Sequence, residues 1–238
     1  MFGYADGLVE RFPAIVGGVV HARGVVNGRP DARLQQAFHD EQRGALERIG
    51  DRPLAEIPSV AAWRRAFSAF GVEPTRYRSA VEALLRRLTK QGEIPSLNAL
   101  VDVANLVSVR YSLPVAVFDQ RTVASATTVR FAEGHESFTD LGGDGSITRP
   151  EPGEVIFVDH AGLVSARRWC WRQSAESAAR EDTTEILVTV EGHHEGAAED
   201  VTHAVADLRE LLGRHAGEPD VRVAVLTPQQ PIFHGVAS

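Results

Sequence analysis

Residues 94–119 read IPSLNALVDVANLVSVRYSLPVAVFD. Pro95 ends what precedes it, and Ser96, or Asn98 if the helix begins later, is placed to cap a helix. Leu97, Leu100, Val101, Ala104 and Val107 then recur at helical spacing. Asn98, Asp102 and Asn105 stand at i, i+4 and i+7 and share another face, which Ser108 extends. Pro114 cannot continue a helix. It opens a short apolar strand, Val115 to Phe118, closed by Asp119. A helix with an apolar face and an Asn/Asp face, joined to a buried strand, is either a site or a hydrogen-bonded corner.

Working outward, helical spacing predicts three helices before this one, over 31–49, 59–70 and 77–90. Ser59 is the expected cap of the second, and Gly71 and Gly92 are the expected stops. Residues 13–26 read as a strand bent at Gly17-Gly18. After Asp119, strand-like runs at 122–131, 136–141, 153–159, 162–168 and 184–190 alternate with turns such as Gly142-Gly143-Asp144-Gly145. A helix over 201–212 and a strand over 221–226 follow, and the tail from Pro228 is expected to be loose. Helices concentrated early and strands late argue for α+β rather than a βαβ repeat.

The 238 residues are enough to bury a core without disulfides, and one cysteine, Cys170, excludes both a disulfide framework and a cysteine-rich zinc site. No run approaches membrane-spanning length and no basic-then-apolar leader is present, so a cytoplasmic protein with no membrane partner is expected. A net charge of −7 disfavours a non-specific nucleic-acid binder. Of 25 basic residues only Lys90 is lysine, and the basic residues gather locally at 64–90 and 167–172. No phosphate loop, dinucleotide fingerprint or HExxH occurs. His193-His194 sits in a turn-like EGHHEG segment with few ligands nearby, and Cys170, between two tryptophans, reads as a buried inert thiol. No metal and no cofactor is expected.

Three segments together resemble one family. SLNALVDVANLVSVRYSLPVAVFD is similar to the N-x-x-V-D-x-x-N…P…D signature of the B3/B4 domain of the bacterial phenylalanyl-tRNA synthetase β subunit. VRFAEGHESFTDLGGD resembles that domain's R-x-A-x-x-G-E segment. PGEVIFVDHAGLVSARRWCWRQS, then EDTTEILVTVEG, looks like the version in stand-alone B3/B4 proteins, and TRYRSAVEALLRRL fits the same type. The likeness runs from about Trp63 to Glu191. It frames the chain as a single B3/B4-like domain over 1–238, with 1–62 an N-terminal elaboration, 63–191 the core and 192–238 a C-terminal helix and strand.

The resemblance implies an α+β fold with a closed, barrel-like mixed sheet flanked by helices. It implies an editing-type activity: binding aminoacyl-tRNA and hydrolysing a mischarged aminoacyl ester in trans. The alternative is non-catalytic binding of a free amino acid or related metabolite. Synthetase activity is excluded, because the catalytic partner motifs are absent. By segment alignment the family's editing glutamate corresponds to Glu136, with Glu133 as fallback. The family's editing histidine has no counterpart, since the matching stretch is Ser79-Ala80-Val81-Glu82.

Each remaining candidate carries two readings. Asn98, Asp102 and Asn105 are pocket polar groups or partners for backbone at the helix–strand corner, and Asp119 divides the same way. Arg130 could pair with a substrate carboxylate or with Asp119. Trp169 and Trp171, read as i and i+2 of a strand, share a face that is either an aromatic wall for an amino-acid side chain or terminal adenosine, or a packed sheet face. Arg172 stands beside them as a further binding candidate.

Overall fold

A computed structural model describes residues 1–124 and 126–235. In chain order the elements are β1 (Phe2–Tyr4), α1 (Asp6–Arg11), β2 (Val16–Arg23), α2 (Ala32–Ile49), α3 (Pro58–Ala69), α4 (Ala80–Gln91), α5 (Ala99–Tyr111) and β3 (Val115–Asp119). There follow β4 (Thr127–Phe131), β5 (Phe138–Thr139), β6 (Ile147–Thr148), β7 (Val155–Asp159), β8 (Val164–Arg167) and β9 (Arg172–Gln173). The chain closes with β10 (Glu185–Gly192), α6 (Ala197–His215), β11 (Asp220–Leu226) and β12 (Ile232–Phe233).

The α5–β3 unit forms as its residues dictate. Asn98, not Ser96, caps α5, its Oδ1 accepting from Val101 N at 3.0 Å. The helix ends at Ser112 in a left-handed conformation, and Ser108 Oγ donates to Leu113 O at 2.6 Å, turning the chain into β3. Ser79 caps α4, which begins at Ala80 rather than Tyr77, and Gly92 ends it at φ 80°. Pro58 occupies the first turn of α3, so Ser59 is helical, and its hydroxyl donates to Ser112 O instead of capping.

The strands form a four-stranded antiparallel sheet, β11-β2-β10-β3, a six-stranded sheet, β12-β1-β4-β7-β8-β9, and a small β5–β6 pair. The expected closed barrel is not there. Both larger sheets are open, with edges at β11 and β3 and at β12 and β9. The edge strands β9 and β12 are two residues long, too short to carry the continuous stagger that closing a sheet demands. The architecture is an α+β stack instead. α5 and α6 cover one face of the four-stranded sheet, burying Ile186, Val188 and Val190 of β10, and α2 and α4 pack against α5 to complete the helical layer. Alternation puts Leu187, Thr189 and Glu191 on the opposite face, toward the six-stranded sheet. That inter-sheet layer is aromatic, with Phe2, Phe118, Phe157, Trp63 and Trp169 all essentially inaccessible.

Four local expectations change. β2 runs unbent through Gly17-Gly18; the glycines are needed because Tyr4, Val190, Val201 and Val205 crowd the space a Cβ would take. The run over 162–168 ends at Arg167, and Arg168–Trp171 is a turn, so strand parity does not relate Trp169 to Trp171. The tail is not loose as far as residue 235: β12 pairs antiparallel with β1, while residues 236–238 lie outside the described residues. The strand expected over 122–131 is β4, with a 3-10 turn at Gln120–Thr122; residue 125 also lies outside the described residues.

Candidate functional site

Where the two larger sheets meet the start of α4, a pocket of about 80 Å³ opens. Phe118 of β3, Phe157 of β7 and the turn residues Trp169 and Trp171 wall it, with Ala80 and Arg172 also among its lining residues. Thr189 and Glu191, two positions apart on β10, supply polar groups. Cofactor and drug-sized sites run to roughly 300 Å³ or more. The space here suits an amino-acid side chain and excludes a nucleoside.

The turn that delivers the tryptophans is strained. Arg168 and Trp169 are consecutive non-glycine residues at φ 45° and 62°. Trp169 N donates to Val155 O at 2.6 Å, and Ala80 N donates to Cys170 O at 2.8 Å, tying the turn to β7 and to α4. Glu154 anchors the approach, pairing with Arg167 at 2.7 Å and Arg168 at 3.0 Å. The guanidinium of Arg168 lies 4.0 Å from the Tyr77 ring centre and 4.7 Å from that of Trp171. Arg76 covers Tyr77 at 5.1 Å, Arg172 covers Trp171 at 5.0 Å, and the two rings meet edge to face at 4.9 Å. An arginine–aromatic stack therefore adjoins the pocket, sharing Trp171 and Arg172 with it.

Glu191 dominates the electrostatics of the interior. Its Oε1 accepts from Tyr4 Oη at 2.8 Å and from Trp169 Nε1 at 3.1 Å, both neutral donors. Burial pushes its carboxyl up to about 7, against the pull of those two hydrogen bonds. Burial likewise drives the Tyr4 and Cys170 pKa values well above their ordinary values, with Glu191 adding to both. His193 packs against Trp63 and Trp169 at 4.6 and 4.9 Å, and burial lowers it to about 3, so it is neutral.

The structure distributes the sequence-derived candidates over several places. Trp169, Trp171 and Arg172 line the pocket. Glu136 does not reach it. Its Oε1 accepts from Arg130 Nη1 at 2.6 Å and Glu133 N at 3.0 Å, and its Oε2 accepts from Gly134 N at 2.9 Å. Arg130 also lines a shallow surface groove with Thr128, His135 and Ser137, and Glu133 is exposed. Asp102 is wholly buried at the start of α5, where it accepts from Ser96 Oγ at 2.5 Å and Leu97 N at 2.9 Å; burial raises its pKa, opposed by those bonds. Asn98 is the cap of the same helix, and Asn105 is half-buried about one turn further along the same face. Asp119 accepts from Arg121 and from Thr183 Oγ1 at 2.6 Å; burial would raise its pKa, but these partners outweigh it and the value is lowered. Glu191 and Thr189 escaped the sequence reading, although a Thr and a Glu two apart on one face of an otherwise apolar strand were the available signal.

Among the described residues no group of three or more His, Cys, Asp or Glu side chains is arranged to hold a metal ion, and no helix is long and apolar enough to cross a membrane.

Residues 62–205 match the family model described as the B3/4 domain. Over 107 residues the chain is 33% identical to the phenylalanine–tRNA ligase β subunits of Nitrobacter winogradskyi and Bradyrhizobium diazoefficiens. The match takes in 45% of this chain and 13% of either relative, so the chain corresponds to a small part of those subunits. A crystallised N-terminal fragment of the phenylalanyl-tRNA synthetase β subunit from Pyrococcus horikoshii aligns over 87% of this chain and 48% of its own, at 13% identity and a TM-score of 0.42. With the family's model spanning well over half of the residues, including α4, α5, the strained turn and β10, the chain belongs to the B3/4 domain family.

Proposed function

We propose that this protein binds the aminoacylated end of a tRNA and hydrolyses a mischarged aminoacyl ester in trans, in the cytoplasm. The observation that carries this reading is a side-chain-sized aromatic pocket opening beside a partly exposed arginine–aromatic stack. The aminoacyl group enters the pocket. The terminal bases lie against Trp171 and Tyr77, and phosphates meet Arg76, Arg168 and Arg172. Base–aromatic stacking with adjacent guanidinium groups is the usual chemistry for holding a single-stranded end. The local basic surface offsets the net charge of −7 where it matters.

The stretch that the family resemblance matches to its editing histidine, Ser79-Ala80-Val81-Glu82, holds none, and Ala80 is the residue of it that lines the pocket. No imidazole is therefore available at that point to activate water. Catalysis in this reading rests on holding the ester carbonyl and a water in reactive geometry, with the tRNA's own vicinal hydroxyl assisting. The sequence-derived assignment of Glu136 as the water-orienting group remains a proposal to be weighed against this pocket-centred one.

The test is single-turnover deacylation of a panel of mischarged tRNAs at enzyme excess. Faster ester loss for at least one species, abolished by Trp171→Ala, supports the reading. Panel-wide inactivity sinks it. Thermal stabilisation by free amino acids without any deacylation would leave a non-catalytic binder using the same pocket.

A further inference from the structure

Among the described residues Glu191 is the one acidic side chain in the pocket lining, and it is 2% exposed. Its Oε1 is saturated by Tyr4 and Trp169. Among the same residues its Oε2 has no hydrogen-bond partner, and no arginine, lysine or histidine pairs with the carboxylate. A buried carboxylate without a counter-charge is costly, and the same space filled by glutamine or methionine would serve an apolar ligand better. Phe118, Phe157 and Trp169 line the same pocket, and aromatic rings attract cations. Thr189 lines the same space and adds a hydroxyl acceptor. Carboxylate, hydroxyl and aromatic walls together match the three donors and the charge of one group.

We propose that the pocket is a primary-ammonium site, in which a ligand –NH3⁺ pairs with the free oxygen of Glu191 between aromatic walls. The inference rests on reading this pocket as the aminoacyl site and names what it selects. The ammonium belongs either to the α-amino group of the aminoacyl moiety or to a basic side chain. The neighbouring titratable groups do not obscure its pH dependence. Tyr4 and Cys170 are pushed upward and stay protonated, His193 stays neutral at about 3, and His194 is turned toward Asp200 at 2.8 Å. Arg172 is the only cation among the described lining residues, and it is turned outward to Asp140 at 3.5 Å.

The experiment is calorimetric titration of the full chain with three small probes. Nα-acetyl-lysine methylamide carries only a side-chain ammonium, norleucine methylamide only an α-ammonium, and Nα-acetyl-norleucine methylamide neither. One of the two amines is expected to bind at least about tenfold more tightly than the uncharged probe. Which amine wins identifies the source of the group. That affinity should rise about tenfold or more between about pH 5.5 and about pH 7.5, as Glu191 ionises. Glu191→Gln, nearly isosteric, should erase both the preference and the pH dependence; should the variant not fold, the wild-type pH profile alone decides between the same outcomes. Equal binding of the uncharged probe, an affinity flat or falling with pH, or no binding by either amine overturns the proposal. Amine binding without any deacylation would sink the tRNA reading alone, and deacylation without amine preference would sink this one alone.

Discussion

Arg130 and Glu136 meet at 2.6 Å across the loop that leaves β4, and the other donors to that carboxylate, the amides of Glu133 and Gly134, belong to the same loop. Burial would raise the Glu136 pKa, but the backbone amides and Arg130 outweigh it and hold the carboxyl at about 2, below its ordinary 4.5. Because the folded value is depressed, the stabilisation is present above about pH 4.5 and is lost as pH falls through about 2; it amounts to about 3 kcal/mol. Glu136→Ala is expected to cost about 2–4 kcal/mol in urea unfolding at neutral pH. Ligand binding at the aromatic pocket should survive. Loss of deacylation in a Glu136→Gln protein of full stability would instead make this carboxylate part of the chemistry.

Glu191 has the opposite sign. Its folded value of about 7 lies above the ordinary 4.5, so the folded state holds a proton that the unfolded state has released. The corresponding stability is complete below about pH 4.5 and is lost as pH rises through about 7, a total of about 3 kcal/mol. Glu191→Gln should flatten this dependence and be the more stable protein at about pH 8. Urea midpoints on either side of neutrality measure it, and a variant whose pH slope matches wild type would show that Glu191 is not the titrating group.

Trp171 is half-buried and stacks with Tyr77, Arg168 and Arg172. Trp171→Ala should leave the cooperative unfolding transition in place and weaken binding of a single-stranded tRNA end by about 1–3 kcal/mol. Binding by wild type should fall steeply with salt. Unchanged affinity in the variant, measured by filter binding at low salt, would remove the stack from the interface.

Gly17 lies against Tyr4, and a methyl at this position would overlap the phenol. Gly17→Ala should destabilise by about 1–3 kcal/mol through overpacking. It should also push Tyr4 away from Glu191, so that the carboxyl loses a donor and titrates above its wild-type value. A pH profile of stability displaced upward checks the coupling; an unshifted profile would separate Tyr4 from the behaviour of Glu191.

Local chemistry made much of the fold legible. Asn98, Asp31, Gly92 and Pro114 punctuate helices where their backbone preferences require, whereas the cap at Ser79 lay inside the helix read from residue 77. β1 was invisible because three residues carry no periodicity, and their partners lie at 127–129 and 232–233. The turn at Arg168–Trp171 gave no signal either, since arginine and tryptophan do not ordinarily take positive φ; tertiary contacts to Glu154 and Val155 impose it. The tryptophan–arginine cluster was readable as a candidate site, whereas its carboxylate was not. Glu191 sits at a strand end, where an acidic residue looks solvated, and it is buried by the approach of Tyr4 of β1 from 187 positions away together with Trp169 from the strained turn. Asp102 and Asp119 looked equally fit for chemistry and prove to be tied into backbone and side-chain partners.

That long-range bond from Tyr4 also sets an order of events. β1 has no neighbour until β4 exists, more than a hundred residues later in synthesis, and the hydroxyl of Tyr4 has no acceptor until residue 191 has emerged. Closing a loop of that span is slow compared with forming the helices around α5. The floor of the pocket is thus among the last parts of the molecule to be assembled, and a partly made chain carries the helical layer but no finished binding cavity.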